Sequence, residues 1–76
     1  MNAARRKAID KLYMQLEDLK AAIESLQEEE QEAFDNLPES LQDTERGEAM
    51  QEAVDNLEAA ASSIEEAMDS LSEASN

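Results

Sequence analysis

Apolar residues recur every three or four positions along most of the chain. Ile9, Leu12, Leu16, Leu19, Ile23 and Leu26 are separated by steps of 3, 4, 3, 4 and 3. This is the a/d pattern of a coiled-coil helix, with Ile9 at an a position. The seam continues through Glu30 (a), Ala33 (d) and Leu37 (a). A second seam runs through Met50, Val54, Leu57, Ala61, Ile64, Met68 and Leu71, with Val54 at a. It is built from three successive heptads, 54–60, 61–67 and 68–74, that resemble one another. Ala53, Ala60, Ala67 and Ala74 all take the g position beside it. A seam flanked by small residues widens the apolar face, as bundle helices require.

The join between the seams carries turn chemistry. Pro38 disfavours helix at Leu37. Asn36, Pro38 and Glu39 suggest a short capped turn, and Asp43 or Thr44 can N-cap the next helix, with Glu45 and Glu48 near its positive end. The pattern predicts helix over 8–34, an elbow over 35–43 with room for a helical turn, and helix over 44–73. Residues 1–4 and 75–76 are expected to fray. A short elbow between long helices implies an antiparallel hairpin. The expected fold is therefore all-α, a single helical-hairpin domain over 1–76. Two helices cannot bury three-sevenths of their surface against one another, so a homodimer forming a four-helix bundle is expected.

Composition sharpens this picture mainly by exclusion. Among 76 residues there is no Cys and no His, and there is one Gly. Disulfides, thiolate chemistry and imidazole catalysis are absent, as is a glycine-rich phosphate loop. The 20 acidic residues against 6 basic ones give a net charge of −14. Such a chain repels nucleic acid and anionic membranes. No apolar run approaches the ~18–20 residues of a membrane span, and no signal-peptide core is present. The expected location is cytoplasmic.

Charge is unevenly placed. Arg5, Arg6, Lys7 and Lys11 are four of the six basic residues; from residue 12 on, Lys20 and Arg46 oppose 19 acids. In a hairpin, Arg5, Arg6 and Lys7 are expected beside Glu65, Glu66, Asp69 and Glu73 at the end of the second helix. Glu28, Glu29, Glu30 and Glu32 leave the first helix ending in negative charge, which opposes its dipole.

Candidate chemistry is sparse. Glu30 is the one carboxylate aimed along a seam, where it reads as a register device. The acidic run 28–32 lacks the alternating ligands and mid-loop Gly of a calcium site, and a di-iron bundle needs His. No catalytic residue, cofactor or metal ligand is expected. The e-position aromatics Tyr13 and Phe34 read either as packing residues or as anchors for another protein. Leu37, Pro38 and Leu41 read as a plug at the bundle end or as part of an elbow docking site. Along the second helix, Glu58, Glu65, Glu66 and Asp69 are candidate partner-binding residues. The seventeen net negative charges from residue 12 on, spread over both helices of a hairpin ~45 Å long, give one per about 2.6 Å, against about 1.7 Å for duplex DNA. Arg5, Arg6 and Lys7 form a candidate anion site.

The stretch from Ala33 to Ala60, and above all the elbow 35–42 (Asp-Asn-Leu-Pro-Glu-Ser-Leu-Gln), resembles small acidic helical proteins of phages and prophages of Gram-positive bacteria. The resemblance implies a host cytoplasm as setting and action by binding. Together these readings lead to an expected function: a non-enzymatic acidic protein that binds and inhibits a host protein. A nucleic-acid-handling antiviral defence factor with a cationic groove fits that role. Two alternatives stand beside it, a structural or scaffolding coiled coil and a small-anion sequestering protein built on Arg5, Arg6 and Lys7.

Overall fold

The computed structural model describes residues 2–76. It contains two long helices and one short one: α1 (Ala3–Asp35), α2 (Glu39–Gln42) and α3 (Glu45–Ala74). α1 and α3 pack side by side as an antiparallel hairpin, a rod measuring 59 × 14 × 12 Å. No helix among the described residues is long and apolar enough to cross a membrane.

α1 begins at Ala3, five residues before the expected start at residue 8. Its cap explains the difference. The Asn2 side chain accepts a hydrogen bond from the Arg5 backbone N–H at 2.8 Å, which satisfies a free donor of the first turn. The turn holds despite carrying no acidic residue to complement the dipole. Of the residues expected to fray, Met1 lies outside the described ones.

The elbow contains the helical turn for which the sequence leaves room. Pro38 precedes α2, and the Gln42 side-chain amide folds back to donate to the carbonyls of Phe34 (3.3 Å) and Leu37 (3.1 Å). The Phe34 carbonyl belongs to the last turn of α1 and also accepts from the Leu37 backbone N–H at 3.0 Å, whereas the Leu37 carbonyl lies just beyond the helix. Thr44 occupies the N-cap position of α3 but makes no side-chain capping bond. Its hydroxyl donates instead to the Leu41 carbonyl.

The buried centre is narrow: Val54, Ala61 and Met68, all a positions of α3, with Gly47 continuing the same line. The d residues Met50, Leu57, Ile64 and Leu71 are half-buried. On α3 the expected seam is the one used.

On α1 it is not. Ile9, Leu16 and Ile23 (a) are half-buried, as expected, but the other half of the contact comes from e positions: Tyr13, Lys20, Gln27 and Phe34. The d residues Leu12, Leu19 and Leu26 stay 50%, 54% and 53% exposed. The helix is thus rotated from the a/d orientation. That rotation covers both aromatic rings, which carry the largest apolar areas. It also lays the Lys20 side chain along α3, where its ammonium reaches Glu65 at 2.8 Å.

Candidate functional site

Heptad positions sort the surface of the rod into two unlike sides. Every acidic residue of α3 from Glu48 to Glu73 falls on b, e or f: Glu48, Asp55 and Asp69 at b, Glu58 and Glu65 at e, Glu52, Glu66 and Glu73 at f. All eight are exposed. The c, g and d positions of the same helix, from Ala49 to Ala74, hold only Ala, Asn, Ser and aliphatic residues. From Ala49 to Ala74 the helix is therefore acidic on one arc and uncharged on the other.

The packing places these arcs relative to α1. The Lys20–Glu65 ion pair joins an e position to an e position, so the acidic arc borders the e edge of the hairpin. Asp10, Glu17 and Glu24, all at b, extend the negative surface along α1. On the other edge, a shallow groove is lined by Leu12, Leu16 and Leu19 of α1 together with Leu71 of α3, with Gln15 and Asp18 at its rim. The hairpin thus has an acidic long side and an apolar long side.

Lys20 is the basic residue that faces the acidic arc of α3, and its neighbours act on it. Its pKa is raised above the usual lysine value, chiefly by the hydrogen bond to Glu65, with the charges of Glu65 and Glu24 adding to it. It stays a cation across the neutral range.

The expected pairing of Arg5, Arg6 and Lys7 with the end of α3 is not formed. Lys20–Glu65 is the only ion pair among the described residues. Register gives the reason. With Lys20 facing Glu65, residues lie level when their numbers sum to about 85. Arg5, Arg6 and Lys7 are therefore level with positions beyond Asn76, and the basic turn overhangs the end of α3. All three are exposed. As a candidate anion site they form an open surface, not an enclosed pocket.

The partner-binding candidates separate. Glu58, Glu65, Glu66 and Asp69 are all exposed on the acidic arc, with Glu65 engaged by Lys20. Phe34 and Leu37 are half-buried beneath the elbow, whereas Leu41 is 39% exposed. The elbow thus offers one exposed leucine and two partly covered apolar side chains. Glu30 is half-buried at its a position, level with the upper part of α3. Among the described residues no three acids converge to hold a metal ion.

Two features escaped the sequence reading. The heptad pattern assigns Leu12, Leu19 and Leu26 to the internal seam, yet they form an external stripe. The signal was available in the aromatic residues at e, which compete for the interhelical contact. The second is Gly47, which lets α3 pass directly against α2: a Cβ there would overlap the carbonyl of Gln42. No family model matches this chain, and neither a curated protein nor a solved structure is significantly similar to it.

Proposed function

We propose that the protein is a non-enzymatic binding protein whose hairpins pair into a four-helix bundle and whose acidic side engages a positively charged host protein. The observation that carries this reading is the segregation of charge. Eight exposed acids of α3 share one arc, and the opposite arc has none. Charge placed for solubility alone needs no such sorting, because any exposed position serves. A continuous negative strip steers association with a basic surface and raises its on-rate at low salt.

The elbow's likeness to small acidic phage proteins supports placing that host protein among factors that handle nucleic acid in antiviral defence. A rod of clustered carboxylates fits a groove built for phosphates, and inhibition follows from occupying it. The phage setting would put the protein in the host cytoplasm.

Capture from bacterial lysate tests the reading. The bound partner is expected to carry a cationic groove and to elute at high salt, as exposed charge pairs are screened. The combined variant Glu58→Lys, Glu66→Lys, Asp69→Lys is expected to lose it, whereas Phe34→Ala keeps it. A partner that withstands high salt and ignores the charge reversal overturns the acidic-side mechanism.

A further inference from the structure

The stripe Leu12, Leu19, Leu26 has a property that its apolar character alone does not require. α1 runs from Ala3 to Asp35, so Leu19 is its midpoint, and Leu12 and Leu26 lie seven residues to either side. A two-fold axis through Leu19 superimposes the helix on itself reversed, over its whole length. It places Leu12 against Leu26 and Leu19 against itself. That is the self-complementarity an isologous interface demands.

We infer that a second copy of this chain covers the apolar side, with the two α1 helices antiparallel about Leu19. The inference rests on the proposed pairing of hairpins and fixes its geometry.

Charge complementarity selects this arrangement. Arg5 is at d, on the line of the leucine stripe, and its symmetry mate is Ala33, which Glu29 (g) and Glu32 (c) flank. Each overhanging basic turn therefore lies beside the acidic end of the partner's α1. Within one chain both ends of α1 oppose the helix dipole: the first turn has no acid and the last turn no base. The antiparallel mate supplies carboxylates to the positive end and guanidinium groups to the negative end. The alternative face-to-face arrangement stacks α1 on the partner's α3. It leaves Glu28, Glu29 and Glu32 level with positions 57, 56 and 53 of α3, where no basic residue complements them.

The other helix agrees. With α1 on α1, the register centres the pairing of the α3 helices near Glu66, and over 58–74 the uncharged c–g–d arc meets the same arc of the partner. Ala60 and Ala67 allow close approach there, and no acids are brought together. Area agrees as well. The accessible surface is 5582 Å², whereas a compact monomer of 8.4 kDa exposes about 4,600 Å². One long side of a 59 × 14 Å rod offers at most roughly 800 Å² in projection, the scale of one partner's contribution to a stable interface.

The chain has no Cys, so introduced thiols report position cleanly. Sedimentation of the wild-type protein is expected to give a dimer. A short bis-maleimide added to mixed Leu12→Cys and Leu26→Cys proteins is expected to link one to the other, and Leu12→Cys alone is expected to give no dimeric product. A monomer at all concentrations overturns both the pairing and this geometry. A dimer that links Leu12→Cys to itself overturns the antiparallel order alone. A dimer in which neither combination links places α1 on the partner's α3 and also overturns it. Arg5→Glu serves as a second variant that leaves the leucines intact. It is expected to weaken dimerisation about tenfold, since two symmetry-related contacts are reversed, and Glu29→Arg with Glu32→Arg restores it. Unchanged dimerisation in Arg5→Glu overturns the charge pairing.

Discussion

At the scale of single residues, Gly47 reverses an ordinary expectation. In a helix interior, Gly costs about 1 kcal/mol relative to Ala, so replacing it should stabilise α3. Here the added methyl has nowhere to go, because its nearest neighbours are backbone atoms of Gln42. Gly47→Ala is expected to destabilise the hairpin by about 1–3 kcal/mol, the usual cost of overpacking. Urea unfolding followed by helical signal measures this, and a more stable variant would show that α2 moves aside freely. The sequence displays the lone glycine inside a helical pattern, but not the neighbour that requires it. That neighbour lies five residues back, across a turn that carries no periodicity. Lys20 is illegible for a similar reason. Its e position is visible, yet its pairing with Glu65 depends on the interhelical register.

At the scale of elements, helix existence was legible and helix orientation was not. The heptads of α3 point to Val54, Ala61 and Met68, and these are the residues buried. The heptads of α1 are equally regular, yet its d leucines stay exposed. Periodicity identifies an apolar arc but not which half of it meets a given neighbour. With two apolar-flanked positions competing, the aromatic e residues take the contact. The start of α1 depended on a side-chain cap rather than on apolar period. The elbow is held by a device of the same local kind, the Gln42 amide. Gln42→Ala is expected to cost about 1–2 kcal/mol through two lost hydrogen bonds. Amide exchange is expected to quicken at Leu41 and Gln42, whose N–H groups both donate to the Pro38 carbonyl. Exchange unchanged in the variant would assign the elbow's order to Pro38 and the apolar contacts instead.

At the scale of the whole molecule, electrostatics opposes compaction. A net charge of −14 is spread along a thin rod with one ion pair among its described residues, so repulsion between acids outweighs attraction. Raising sodium chloride from low concentration to about 0.5 M is expected to raise Tm by roughly 5 °C. Thermal unfolding monitored by circular dichroism checks this, and a lower Tm in salt would mean that favourable pairs dominate. The candidate partner-binding acids were legible as a charge run, but their confinement to one arc required the heptad frame. The apolar side emerged only when the rotation of α1 was seen. The overhang of the basic turn has a different kind of consequence. Arg5, Arg6 and Lys7 stand on a helical turn with no neighbour from α3, where local opening needs little energy. In a hairpin not yet paired with a second copy, a trypsin-like protease therefore meets three of its preferred bonds on a turn that α3 does not support. The first seven residues contain no acid, so a cut after Lys7 would remove three positive charges and shift the net charge from −14 to −17. Proteolytic trimming would thus convert the protein to a more acidic form while sparing the rod.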